Sequence, residues 1–196
     1  RPEDVAGVSN EPDTLVVTVT ASADLSALTG RVATSTSACG LCGRLEVLAV
    51  NTSIVATPDR PRVRAATVAT LPAALREAQA AFEATGGLHA AGLFSSAGLL
   101  DVLREDVGRH NAVDKVVGAR LRAGRLPAPD SILVVSGRIA YEIVQKAARA
   151  SIPVIVGIGA PTDLAVDAAR SAGLTLIGFA KAEKFNIYTG PGRIED

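Results

Sequence analysis

Apolar and polar residues follow two rhythms along this chain, and both are clearest in its second half. Ser131 to Val135, Pro153 to Ile158 and Leu174 to Phe179 are short apolar runs rich in β-branched residues, the pattern of strands buried on both faces. Between them, Ile139 to Ala150 and Thr162 to Ala172 repeat apolar residues at helical spacing, and Gly173 marks a stop. Leu88 to Phe94 and Leu99 to Arg104 read as two strands joined through Ser95-Ser96-Ala97-Gly98. A helix follows with Val113, Val116, Val117 and Leu121 on one side and Gly124 at its end, and Phe185 to Tyr188 adds a further strand. Upstream, Thr70 is placed to cap a helix with Pro72 in its first turn; Leu75, Ala78, Ala81 and Phe82 recur at helical spacing before Gly86-Gly87.

Toward the amino terminus the rhythm fades. Arg1 to Asp13 is polar with two prolines and reads as a loop, whereas Thr14 to Thr20 alternates like a strand. Arg31 to Ser37 could be extended, Leu45 to Val50 reads as a short strand, and Asn51 to Ala66 is a proline- and arginine-rich connector. The boundary is placed there: residues 1–66 are a small β remnant of an amino-terminal lobe, and residues 67–196 are an α/β domain. Strands alternating with amphipathic helices predict a mixed, mostly parallel sheet covered by helices on both faces. In such sheets ligands gather where strand carboxyl ends meet helix amino ends. Three clusters fall at such junctions and could line one pocket: Glu105 to Asn111, Ser136-Gly137-Arg138, and Gly157 to Thr162.

Composition narrows the class. Twenty basic and twenty acidic side chains cancel, so no general attraction to nucleic acid or an anionic membrane is expected, and any anion site is local. No apolar run approaches the roughly 18–20 residues that span a bilayer, and the Arg-Pro-Glu-Asp start is no signal peptide. The chain begins at Arg1 and contains no methionine, so it is expected to be a fragment that has lost an initiator residue and a segment behind it.

Both cysteines lie in Ala38-Cys39-Gly40-Leu41-Cys42-Gly43. Two sulfurs at this spacing can form a disulfide, share a metal or pass a sulfur atom between them, and free cysteines can also simply pack as small apolar residues. The flanking glycines suit a reactive tip that turns tightly and approaches a partner closely. A bridge across so short a loop staples little, which points to a reducing cytoplasm instead of a secreted scaffold. Glu105-Asp106-Val107-Gly108-Arg109-His110-Asn111 is the second dense constellation. Arg109 could hold a phosphate, His110 could donate to it or move a proton, and Asp106 could orient either. The same residues could equally form a plain helix amino-terminal turn, with acids favouring the dipole and His110 and Asn111 capping it. A zinc site from Cys39, Cys42, His89 and His110 has little support, because the histidines are far apart in the chain. No His-x-Glu precedes a Pro-Cys-x-x-Cys, so the zinc-deaminase signature is missing as well. No metal site is expected.

Taken together, the Cys39 to Gly43 loop, Gly86 to Ala91, the Glu105 to Lys115 run, Ser136-Gly137-Arg138 with Tyr141 to Lys146, and Leu174 to Phe179 followed by Tyr188-Thr189 resemble the formate dehydrogenase accessory sulfurtransferases, FdhD. They occur in the family's order across nearly the whole chain. The resemblance implies an enzyme that accepts persulfide sulfur from a cysteine desulfurase and transfers it to the molybdenum of a bis(molybdopterin guanine dinucleotide) cofactor required by formate dehydrogenase. It implies that Cys39 carries the persulfide and Cys42 assists or relays it. It also implies a cytoplasmic homodimer, a cytidine deaminase-like carboxyl-terminal fold, and cofactor binding through Phe179, Ala180, Lys181, Ala182, Glu183 and Lys184, where GDP-like nucleotides could mimic the cofactor. The helix starts at Asn111, Arg138 and Thr162 could supply phosphate contacts, and Arg109, His110, Ser136 and Arg138 are expected to line that pocket. Two other readings stay open: a molybdenum-cofactor chaperone that transfers no sulfur, and a thiol-disulfide oxidoreductase. No strand-CxxC-helix arrangement of the thioredoxin type supports the latter.

Overall fold

The computed structural model describes residues 5–10, 17–21, 60–182 and 184–196. The chain divides into two units, Arg1–Thr34 and Ser35–Asp196. In the first, β1 (Val5–Asn10) and β2 (Val17–Ala21) pair antiparallel, with a bulge between Val5 and Gly7. A loop was expected over Arg1 to Asp13, so β1 is a correction. Its Val-Ala-Gly-Val-Ser-Asn sequence is too short and too mixed to show a period of its own; pairing with β2 supplies the backbone partners that make it a strand.

The second unit runs β3 (Val63–Arg64), α1 (Ala65–Glu77), α2 (Ala80–Thr85), β4 (His89–Ser95), β5 (Leu100–Asp106), α3 (Arg109–Arg122), β6 (Ser131–Val135), α4 (Tyr141–Arg149), β7 (Val154–Gly157), α5 (Asp163–Ser171), β8 (Thr175–Lys181) and β9 (Lys184–Thr189). It closes with a 3-10 turn at Pro191–Arg193 and β10 (Ile194–Glu195). Six strands form one sheet in the order β5-β4-β6-β7-β8-β9. Its centre, β6-β7-β8, is parallel, and β4, β5 and β9 flank it antiparallel.

Side chains alternate cleanly across this sheet. Leu133 and Val135 face one side and pack with Val113, Val116, Ile143, Val144, Ala165 and Ala169 from α3, α4 and α5. Ile132 and Val134 face the other and pack with Val68, Leu71 and Leu75 of α1. Period-two alternation with both faces covered is why these strands read as unbroken apolar runs.

The predicted helix capped by Thr70 begins five residues earlier, at Ala65, and Pro72 lies inside it. Pro72 removes one helical hydrogen bond, and the burial of Val68, Leu71 and Leu75 on the sheet outweighs that loss. The Thr70 hydroxyl donates to Thr67 O within the helix and caps nothing. The expected single helix also breaks, at Ala78–Gln79, and Gly86 in the left-handed conformation ends the second piece. The end of the expected connector is ordered into β3, which pairs parallel with β10 through Ile194–Val63 and Glu195–Arg64. Two-residue strands carry no periodicity to read.

Candidate functional site

The parallel strands β6, β7 and β8 all end at one edge of the sheet, where antiparallel β4 begins and β5 ends. Backbone hydrogen bonds stitch the loops there into a continuous rim. Ser136 N donates to Ala90 O (3.0 Å), Gly159 N to Gly137 O (3.2 Å), Ile139 N to Ala160 O (3.0 Å), Thr162 N to Ile139 O (2.9 Å) and Phe179 N to Gly159 O (3.1 Å). The three junction clusters therefore sit along one rim, ordered by the strands that carry them.

Much of the Glu105 to Lys115 run builds the rim. Glu105 accepts the backbone N–H groups of Ala81 (2.9 Å) and Phe82 (2.7 Å), so it caps α2. Asp106 accepts from Gly108 N (2.9 Å) and Asn111 Nδ2 (3.0 Å) and pairs with Lys115 Nζ (2.5 Å); Lys115 also donates to Glu105 O. Asp106 thus closes the turn through Gly108, Asn111 and Lys115, and not by orienting Arg109 or His110. Helix α3 starts at Arg109, with Gly108 as its N-cap and no side-chain cap. Asn111 lies inside the first turn and bonds Asp106, so neither it nor His110 caps the helix. Arg138 likewise precedes α4 by three residues, and Thr162 is committed to capping α5 through Ala165 N (3.2 Å).

The lysine hydrogen bond, followed by the Gly108 N–H, holds the Asp106 carboxyl below the usual aspartate range. A carboxyl depressed by folding contributes stability above the unfolded-state pKa of about 3.9 and loses it as pH falls through the lower folded value. Asp106→Asn is therefore expected to cost about 1–2 kcal/mol at neutral pH. It should also flatten the acid limb of urea-midpoint measurements below roughly pH 4, where the parent and variant curves converge.

Beside this turn lies a polar cluster. Ser136 Oγ accepts from Ala90 N (2.9 Å) and sits 3.3 Å from His89 Nδ1. A Cβ placed on Gly137 would meet Arg109 Cδ at 3.2 Å and the His89 ring at 3.3 Å, so Gly137 lets Arg109 and His89 close over the Ser136 loop. His110, with a side chain 15% exposed, turns Nε2 toward Glu142 Oε2 at 3.9 Å across the α3–α4 contact. Burial first, and then the Arg109 charge, lowers the pKa of His89 from its ordinary value.

Farther along the rim, a cleft of about 380 Å³ is lined by Phe179, Lys181, Lys184 and Asn186. Lys181 and Lys184 are direct cross-strand partners at the β8–β9 turn. Like charges placed opposite one another destabilise a ladder, and no carboxylate among the described residues bridges these two. Phe179 is 45% exposed and holds a positive φ of 52°. That conformation strains a bulky residue; here the β8–β9 register shift and the Phe179 N–Gly159 O bond impose it.

Of the residues expected at the site, Arg109, His110 and Ser136 are brought together at the first cluster. Phe179, Lys181 and Lys184 are brought together at the cleft. Ala180 is buried in the core on the α1 side, Ala182 is exposed in the turn, and Arg138 is exposed on the rim between the two groups. Cys39, Cys42 and Glu183 lie outside the described residues. Sequence reasoning did not include Asn186, one position beyond Phe185 on β9, nor His89 as a partner of Ser136.

An α/β protein with a polar rim at the carboxyl edge of a mixed sheet is what fold and site define. The sequence matches the FdhD/NarQ family over residues 1–195, and the chain belongs to that family. It is 51% identical over 163 residues to the sulfur carrier protein FdhD of Nocardia farcinica, covering 82% of this chain and 58% of that protein. It is 50% identical to the protein of the same name from Sulfurisphaera tokodaii, covering 81% and 60%. The chain thus spans about three fifths of the length of these curated relatives. A crystal structure of a formate dehydrogenase accessory protein from Desulfotalea psychrophila superposes with a TM-score of 0.77 at 26% identity, covering 100% of this chain and 73% of that one. No helix among the described residues is long and apolar enough to cross a membrane.

Proposed function

We propose that this chain is a sulfurtransferase that accepts persulfide sulfur from a cysteine desulfurase at Cys39, with Cys42 assisting or relaying it, and delivers it to a bis(molybdopterin guanine dinucleotide) molybdenum cofactor destined for formate dehydrogenase. In the loading step the Cys39 thiolate attacks the outer sulfur of the donor persulfide. A new S–S bond forms on Cys39 as the donor's bond breaks, and the donor cysteine leaves as a thiolate, so no oxidant is consumed. The cofactor is this protein's cargo.

The observation that carries the reading is the pair Lys181 and Lys184, opposed across the β8–β9 turn beside the strained, exposed Phe179 ring. Two ammonium groups with no described counter-ion suit a pyrophosphate, and an exposed ring with Asn186 beside it suits a purine base. Phe179→Gly separates ligand contact from structure. Removing the ring is expected to weaken GDP binding roughly ten- to hundredfold, while glycine relieves the positive φ and leaves the thermal midpoint about unchanged. Calorimetric titration with GDP beside a thermal melt reads both.

The function itself is tested by intact-protein mass spectrometry after incubation with a cysteine desulfurase and cysteine. A gain of one sulfur atom is expected. No gain, with the desulfurase shown to load another acceptor, would overturn the sulfur-transfer reading for this chain.

A further inference from the structure

The break between α1 and α2 has no local cause. Neither glycine nor proline stands at Ala78–Gln79, and alanine and glutamine both favour helix, yet Gln79 leaves it with φ −83° and ψ 74°. The break is held from a distance, where the Glu105 carboxylate accepts the Ala81 and Phe82 N–H groups and fixes a new helix start. One consequence is that Gln79 is buried. It is only 4% exposed, and its backbone is satisfied through Arg76 O and Glu83 N. Its side-chain amide, in contrast, hydrogen-bonds no described residue. Such an amide forfeits water without a return inside the fold, and an apolar side chain would fill the same space at less cost.

Gln79 lines a cleft of about 410 Å³ with Arg76, Glu77, Ala80 and Glu83. Arg76 is already committed: its Nη2 pairs with Glu83 at 2.7 Å, and its guanidinium lies 4.5 Å from the centre of the Phe82 ring. Glu77, the last residue of α1, makes no ion pair among the described residues. Two carboxylates and one guanidinium leave the cleft with a net negative charge beside an amide that still has an acceptor and two donors to offer.

We propose that this cleft binds an arginine side chain of a partner protein, its guanidinium shared between the Glu77 carboxylate and the Gln79 amide oxygen, with its methylenes along Ala80. A planar guanidinium presents five donors in a fixed fork and serves two acceptors at once, whereas a lysine ammonium is a compact, strongly hydrated point charge. The cleft is at the small end of ligand-sized sites, which suits one long side chain with its flanking backbone. Its carboxylates disfavour the α-carboxylate of free arginine, so the side chain arrives within a polypeptide. They also turn away phosphate, so this site is separate from the cleft of Lys181 and Lys184, and the inference does not rest on the nucleotide reading.

The test follows the Gln79 side-chain amide in the nuclear magnetic resonance spectrum of the whole chain, its signal identified by its loss in Gln79→Leu. N-acetyl-arginine methylamide is expected to shift the Gln79 amide and the Ala80 N–H with a dissociation constant of about a millimolar. N-acetyl-citrulline methylamide, which has the same shape without the charge, and free arginine should each bind roughly tenfold more weakly or worse. Glu77→Gln should weaken the capped arginine by a similar factor. Gln79→Leu should weaken it as well while keeping a thermal midpoint at least as high as the parent's, because the amide it removes has no partner in the fold. No shift in the parent chain, equal binding of the citrulline analogue, or undiminished binding in Glu77→Gln would each overturn the inference. Free arginine or N-acetyl-lysine methylamide binding as tightly as the capped arginine would overturn it too, assigning the cleft to a metabolite or to cations in general. These titrations decide the matter even where Gln79→Leu fails to fold.

Discussion

Gly159→Val is expected to abolish guanine-nucleotide binding and to lower stability by about 3 kcal/mol. A Cβ at this position would lie 3.0 Å from Arg138 N, 3.0 Å from Gly137 C and 3.1 Å from Arg138 Cα. All three are backbone atoms, which cannot rotate aside as a side chain does. The two loops must therefore separate, breaking Gly159 N–Gly137 O and Phe179 N–Gly159 O. Those bonds contribute about 1 kcal/mol each, and the overpacking adds a similar amount or more. The second bond also holds Phe179 in its positive-φ conformation, so a clash at one junction propagates to the cleft. Urea unfolding and GDP titration measure the two effects. Gly118→Ala is the matching control: in α3 an added Cβ meets nothing within 4 Å, and alanine there should stabilise by up to about 1 kcal/mol. A Gly159→Val chain that bound nucleotide like the parent would show that the rim is not one unit.

The extent to which the rim could be read in advance follows from how local its causes are. From Ser131 to Phe179 each strand is buried on both faces and each helix on one, so the chain's own periodicity describes the fold to within a residue or two. Helix α1 defied the same procedure because Pro72 and Thr70 are strong local signals, overridden by packing of Val68, Leu71 and Leu75 against a sheet assembled far along the chain. The Glu105 to Lys115 run was legible as a dense polar cluster but not in its division of labour. An acid that caps a distant helix and one that touches a ligand look identical in sequence, and the partners of Glu105 are 23 and 24 residues away. Phe179 entered the sequence reading through family resemblance alone, and its place beside a cleft could not be read from the sequence. Its strained backbone gives no sequence signal, since only glycine advertises a positive φ.

Cys39→Ala is expected to abolish sulfur loading completely, whereas Cys42→Ala should still gain one sulfur atom in the desulfurase reaction. Loading needs a thiolate that attacks the donor persulfide, and a methyl group offers neither the lone pair nor the leaving ability. The effect of losing the primary acceptor is therefore all or none, unlike the graded losses at Phe179 or Gly159. Cys42 has the same chemistry, so its failure to substitute in Cys39→Ala would show that the donor reaches one sulfur and not the other. A gain lost only in Cys42→Ala would reverse the two roles. An oxidoreductase would leave a different mark: the parent mass would fall by two hydrogens as the pair closed to a disulfide, with no sulfur added. A chaperone without transfer would show unchanged masses in all three chains while still binding guanine nucleotide at Lys181 and Lys184. Mass and nucleotide affinity, measured on the same samples, thus separate three chemistries that a CxxC spacing alone leaves indistinguishable.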